Sequence, residues 1–389
     1  GKKIYTDWSP EKKEGWVRVT FLGSGRHVGR SCILLSTNES KILLDCGIDV
    51  SAQDKERFPY FNIPEFDIEE LDAVIISHAH LDHFALLPYL YKMGYKGPCY
   101  MTPPSRDIAA LLALDFIGVA YKKAETPLYS VADIKEMVKH SVCIDYNMVT
   151  DITKDVRITL YNAGHCLGSA MAHLNIGNGL HNLLYTGDMK YGATRTLDPA
   201  ATLFPRLETM ILESTYGGKD NVLPSREECE KDLFDAIKRA IDRGGKVLIP
   251  SLGVGRGQEE MLLIEQAITE GTIPNVPVYV DGMVWDVTAI HTAYPNFLSG
   301  TVKNKIFKDE NPFSNACFKR VASSDERKEV IQGGPCIVIA TSGMLMGGAS
   351  VEYLREFADG KNNAVILTCY QAAGSLGKQV KDGIKELRM

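Results

Sequence analysis

The chain has 389 residues, a formal net charge of −6, 45% hydrophobic and 24% charged residues. Such a balance belongs to a soluble globular protein of about two domains, and the acidity excludes a broad nucleic-acid patch over the whole surface while leaving room for a local basic groove. Apolar runs are short and interrupted, no signal peptide opens the chain, and the nine cysteines include no C-x-x-C pair, so the expectation is a cytoplasmic protein with reduced, buried thiols and no transmembrane helix.

Residues 1–15 are charged and polar and read as a connection from an upstream segment. Val17, Val19 and Phe21 alternate with Arg18 and Thr20, as in a half-buried strand. The run G-S-G-R-H-V-G at 23–29 has the wrong spacing for a dinucleotide fingerprint, and a strand-like stretch, 31–36, follows where that fingerprint demands a helix. A tight turn between strands is expected instead. Residues 42–45 read as a strand ending in a carboxylate, and 51–70 as an irregular loop. A buried strand at 73–76 leads into S-H-A-H-L-D-H, with a helix expected just after His83. Helices are expected around 84–94, 105–117 and 131–140, the last capped by Ser130. Strands follow at 156–161, 171–176, 183–186 and 210–213. The pattern changes near 218. Ser225 and Glu228 form a capping box for a helix to about Asp242. Strands at 246–250, 277–281, 335–340 and 364–369 then alternate with helices, which predicts an α/β unit on a parallel sheet.

The chemistry concentrates in one turn. His78, His80, Asp82 and His83 fall within six residues, and three of the nine histidines of the chain are here. In extended backbone His78 and His80 share a face. Asp82 and His83 follow where the chain turns into a helix and can address a second position. Imidazoles with a carboxylate suit zinc or another first-row divalent ion. His165 on a glycine turn and Asp188 after a strand each read, taken alone, as ordinary turn residues.

In this order, His78-x-His80-x-Asp82-His83, His165 and Asp188, with Asp45 upstream, resemble the metallo-β-lactamase pattern. Glu213 in I-L-E-S-T-Y-G, the loop Gly255-Arg256-Gly257-Gln258-Glu259 and Ser342-Gly343-Met344 resemble the β-CASP group of nucleases. The stretches G-R-S-C at 29–32, L-D-C-G at 44–47 and G-H-C-L-G-S at 164–169 are most similar to archaeal homologues of the cleavage and polyadenylation specificity factor (CPSF) endonuclease. The resemblance covers nearly the whole chain. It implies an αββα sandwich over residues 1–217, an inserted β-CASP α/β domain over 218–370, and the start of a return to the sandwich at 371–389. It implies that His78, His80 and His165 hold one zinc, that Asp82 and His83 hold a second, that Asp188 bridges both, and that Asp45 orients a ligand histidine. The implied reaction is two-metal hydrolysis of RNA to a 3′-hydroxyl and a 5′-phosphate, with Asp82, Asp188 and Glu213 as catalytic carboxylates. Arg256, Ser342 and Gly343 are candidate phosphate contacts. Trp285, Tyr216 and Tyr370 are candidates to stack on bases, although isolated aromatics are more often core.

Two features depart from the pattern. Gln379 stands where some relatives carry a catalytic histidine, and glutamine cannot act as a general acid. The family's last histidine ligand and the KH domains of archaeal relatives do not occur in this sequence. The chain is therefore expected to be a core fragment with a weak second metal site and impaired activity. The expected partner is single-stranded RNA, with no membrane, within a transcription or RNA-processing complex and as a homodimer in the longer protein. The leading reading is an endonuclease of RNA 3′-end processing or transcription termination, with 5′–3′ exonuclease activity as in some relatives. The competing readings are a small-molecule hydrolase of the same fold and a degenerate subunit that binds RNA without cutting it.

Overall fold

The computed structural model describes residues 15–52, 54–384 and 386; the polar connection expected before residue 15 lies outside them. The first sheet takes six strands in chain order: β1 (Val17–Phe21), β2 (Ile33–Thr37), β3 (Lys41–Leu44), β4 (Ala73–Ile75), β5 (Cys99–Met101) and β6 (Ser141–Cys143). Its first pairings are antiparallel; from β3 onward they are parallel. The second sheet holds β7 (Val149–Asp151), β8 (Val156–Asn162), β9 (Ala170–Ile176), β10 (His181–Tyr185) and β11 (Thr209–Ile211), in the order β11-β10-β9-β8-β7.

Strand periodicity decides which side chain goes where. Ile33, Leu35, Ile42, Leu44 and Ile75 face Ile158, Leu160, Leu174 and Leu183 in a core between the two sheets. The alternate residues, Leu34, Leu43, Val74 and Ile76, face helices on the other side. These are α1 (Leu81–Phe84), α2 (Leu87–Lys92), α3 (Pro103–Lys122) and α4 (Val131–His140). The outer face of the second sheet is covered by the segment 189–207, through Met189, Ala200, Phe204 and Leu207.

The third sheet is wholly parallel. Its strands are β12 (Val247–Pro250), β13 (Val278–Asp281), β14 (Phe318–Val321), β15 (Ile337–Ala340) and β16 (Ala364–Val365), ordered β14-β13-β15-β12-β16. Helices α5 (Arg226–Asp242), α6 (Arg256–Thr269), α7 (Met283–Ala293), α8 (Gly300–Phe307), α9 (Ser324–Gln332), α10 (Ala349–Phe357) and α11 (Leu376–Lys381) surround it. The capping box of Ser225 and Glu228 starts α5 as the sequence predicts.

The two units are not beads on a string. One buried cluster runs from Leu34 and Ile76 through Ile108 and Ala113 to Val284, Ile264 and Ile249. Polar contacts rim it: Ser299 N–H donates to Thr196 O at 2.8 Å, Tyr294 donates to Asp107, and the rings of Tyr146 and Phe297 lie 4.9 Å apart.

Several expectations need correction. The helix after the histidine turn begins at Leu81, with His80 as its N-cap, so Asp82 and His83 are helical. The strand expected over 364–369 pairs only at Ala364–Val365. Strands β5, β6, β7 and β14 are only three or four residues long, too short to show a pattern, and their existence follows from pairing.

Candidate metal centre

After β4 the chain stays extended to His80, whose φ and ψ are −82° and 147°. His78 and His80 therefore point the same way, and the single turn of α1 adds Asp82 and His83. His165 sits on the turn from β8 to β9. Ser169 Oγ accepts from the N–H groups of His165 and Cys166, each at 3.1 Å, and so fixes that turn. Asp188 follows β10 after Gly187, which has φ +51°; a Cβ there would lie 2.5 Å from Ser77 Cβ. Only glycine lets the Asp188 segment lie against the histidine turn.

One donor atom from each of His78, His80, His165 and Asp188 falls within 4.8 Å of all the others. His80 Nδ1 lies 3.0 Å from His78 Nε2 and 3.1 Å from His165 Nε2. Asp188 Oδ2 lies 3.9 Å from His78 Nε2 and 3.6 Å from His165 Nε2. Its other oxygen, Oδ1, is 3.3 Å from His83 Nε2, which is 3.7 Å from Asp82 Oδ2. Asp188 thus gives one oxygen to the three-histidine group and one to the Asp82–His83 pair.

The outer nitrogens are held by protein. Ser77 Oγ lies 3.0 Å from His78 Nδ1, and His80 Nε2 lies 3.3 Å from Val254 O. His83 Nδ1 donates to Asp45 Oδ2 at 2.7 Å. Asp45 is wholly buried and also accepts from Ser77 N–H, Ser77 Oγ and Tyr185 OH at 2.7, 2.7 and 2.6 Å.

Electrostatics favours neutral imidazoles at His78 and His165. Burial, then the neighbouring histidines, holds His78 well below its usual pKa. Burial and then His80 lower His165 to about 3. Burial opposes charge on Asp188, but His83, His78 and His165 outweigh it and keep the carboxylate ionised far below its usual range. Burial likewise opposes charge on His83, and Asp188, Asp82 and Asp45 overcome it and raise its pKa. Neutral nitrogens converging on an ionised carboxylate form a donor set that fits a divalent cation.

Residues 34–213 match the Metallo-beta-lactamase superfamily domain, and residues 257–380 match the Beta-Casp domain. Together the two matches span most of the chain, which carries a metallo-β-lactamase domain and a β-CASP domain. Transcription termination factor FttA of Methanocaldococcus jannaschii is 52% identical over 389 residues, covering 100% of this chain and 61% of that protein. The factor of the same name from Pyrococcus abyssi is 50% identical over 398 residues, again over 100% of this chain and 61% of its own length. The chain thus spans less than two thirds of these relatives. A crystal structure of a protein of unknown function from Enterococcus faecalis V583 shares the fold, with a TM-score of 0.52 at 14% identity over 91% of this chain and 88% of that one.

Around the metallo-β-lactamase centre the other candidates separate. Glu213 stands apart from the cluster; its oxygens accept from Met189 N–H and Thr215 N–H at 3.2 Å each, so it braces the residue after Asp188. Arg256 opens α6 on the β-CASP side and is exposed, and its guanidinium makes no hydrogen bond or ion pair among the described residues. Ser342 does not present its backbone N–H to the cleft, because that group donates to Gly347 O at 3.3 Å. Gly343 is buried, and a Cβ there would meet Cys369 Sγ at 2.6 Å and Leu252 N at 3.0 Å, so packing accounts for that glycine. Of the three aromatics Trp285 packs against the core, whereas Tyr216 and Tyr370 are 59% and 61% exposed and remain candidates to stack on bases. Gln379 lies exposed on α11. Sequence reasoning missed Ser77, Tyr185 and the Val254 carbonyl. Ser77 could have been suspected from its place beside His78; a backbone carbonyl leaves no mark in a sequence.

Proposed function

We propose that the chain is the core of a zinc-dependent ribonuclease akin to the archaeal CPSF endonuclease homologues, acting in transcription termination or RNA 3′-end processing. The observation that carries the reading is Asp188, with one oxygen toward His78 and His165 and the other toward His83. In this reading His78, His80, His165 and Asp188 hold one zinc, and Asp82, His83 and Asp188 hold a second and weaker one. Bound zinc supplies Lewis-acid stabilisation of the phosphodiester and a water that ionises near neutral pH. The protein does the rest. Asp45 holds His83 in one tautomer, Glu213 braces the Asp188 loop, and Arg256 binds a phosphate across the cleft. Tyr216 and Tyr370, both exposed, stack on bases of single-stranded RNA.

We assign residues 1–217 to the metallo-β-lactamase unit, 218–370 to the β-CASP unit and 371–389 to the start of the return to the metallo-β-lactamase unit. The relatives named as termination factors support a place in a transcription complex. Pairing of two copies in the longer protein is part of the same proposal. The test is to incubate the zinc-loaded longer protein with labelled single-stranded RNA beside its His80→Ala variant. Cleavage is expected in the first and absent in the second. Cleavage that survives His80→Ala would refute the metal mechanism. Binding without cleavage by either protein would favour an RNA-binding subunit, and a 5′ label distinguishes internal cuts from trimming of the end.

A further inference from the structure

His80 turns Nδ1 toward the ligand cluster, so a ligating imidazole must carry its hydrogen on Nε2. That nitrogen lies 3.3 Å from the carbonyl oxygen of Val254. His78 and His83 find their outer partners, Ser77 and Asp45, within the two-sheet sandwich. Val254 belongs instead to the turn between β12 and α6, on the third-sheet unit. Of these three histidines, only His80 is positioned from across the cleft.

We propose that the turn 252–255 is a positioning element of the metal centre, so that closure of the two units and metal binding are energetically coupled. The inference rests on the metal reading above. The turn is built to hold that place. Gly255 has φ +85°, and a Cβ on it would lie 3.2 Å from Cys166 Cβ and 3.7 Å from His165 O. The turn therefore also seats against the backbone that carries His165. Gln258 braces it from behind: Oε1 accepts from Gly255 N–H at 2.8 Å, and Nε2 donates to Gly253 O at 3.0 Å and to Val284 O and Thr288 Oγ1 at 3.1 Å each.

One residue further on, Glu259 clasps the other unit. It accepts from Arg195 N–H, Thr196 N–H and Thr196 Oγ1, each at 2.9 Å, while Arg226 Nη2 of its own unit donates to it at 2.6 Å. The start of α6 is thus pinned to the sandwich at both ends, by Glu259 on the 195–196 loop and by Val254 on His80. Loss of a partner that orients a metal-bound histidine typically costs 10- to 100-fold in metal affinity. Linkage makes the effect reciprocal: whatever closure adds to metal affinity, the metal adds to closure.

Glu259→Ala releases the clasp without touching a proposed ligand. Cobalt(II) serves as the probe, with its visible d–d band and a competing chelator giving the affinity. About a tenfold loss of affinity is expected in Glu259→Ala relative to the parent chain. A second measurement needs no variant: hydrogen exchange of the parent chain with and without cobalt, read at amides 253–258. Cobalt is expected to slow exchange there as well as in the histidine turn. Equal affinities in the two proteins, or slowing confined to the sandwich, would overturn the coupling. Absence of a cobalt band in the parent chain would instead overturn the metal reading on which the coupling stands.

Discussion

Asp45 accepts four hydrogen bonds while wholly buried, and its backbone sits at φ +60°, a region that aspartate tolerates better than most residues. Asp45→Asn places an amide hydrogen pair against groups that are themselves donors. A loss of about 2–3 kcal/mol in urea unfolding of the metal-free chain is expected, from donors left unpaired in the interior. A variant as stable as the parent would contradict this. The sequence marked Asp45 as a carboxylate at a strand end and, through the resemblance, as a partner of a histidine; the donors from Ser77 and Tyr185 come from distant segments and were not read from it. Glu260 was less legible still, since on a helix it reads as a solvated residue. It is buried, Oε2 has no partner among the described residues, and burial raises its pKa to about 7 from 4.5. Below pH 4.5 the group is neutral folded and unfolded, and it has no effect on stability. Between 4.5 and 7 the unfolded chain ionises first, so stability falls, by an order of 3 kcal/mol in total. Denaturation at pH 5 and pH 8 should show this loss in the parent chain and its absence in Glu260→Gln.

Helix α1 is a single turn, too short to persist by its own hydrogen bonds. Its carbonyls are taken up by neighbours: Ile48 N–H donates to Leu81 O, Ser31 N–H to Asp82 O at 2.8 Å, and Cys46 N–H to His83 O at 2.7 Å. Two strand ends thus cap the element that carries Asp82 and His83. This explains why apolar spacing, which begins at Phe84, placed the helix start too late. Gly47 lies where a Cβ would be 1.8 Å from Asp82 O. Gly47→Ala must push α1 away, and losses of about 2 kcal/mol or more in stability and of the cobalt band are expected, since the obstructing atom is backbone. An unchanged cobalt spectrum in Gly47→Ala would show that the close approach is dispensable. Four strands of the third sheet, β12, β13, β15 and β16, were legible because each lies in a compact apolar run followed by a helix, whereas β14, with Lys319 and Arg320 between Phe318 and Val321, was not. The order of its strands was not, because pairing is decided by crossovers that leave no trace in any one segment.

At the scale of the molecule, the change of pattern near residue 218 announced two units, but nothing in the pattern announced that they share a core. Ile108 and Ala113 on α3 and Val284 and Val287 on α7 look like the inward faces of two separate domains, and in the structure they belong to one cluster. One cooperative thermal transition is therefore expected, with calorimetric and van't Hoff enthalpies in agreement. Two resolved transitions would show that the units melt apart. Among the described residues no helix is long and apolar enough to cross a membrane, as composition led one to expect. The arrangement of the outer imidazole nitrogens has a practical corollary. Ser77, Val254 and Asp45 each hold one outer nitrogen of His78, His80 and His83. A mutational survey confined to the converging side chains would therefore miss Ser77 and Asp45, which decide how two of the rings point, and no side-chain substitution removes the Val254 carbonyl that faces the third.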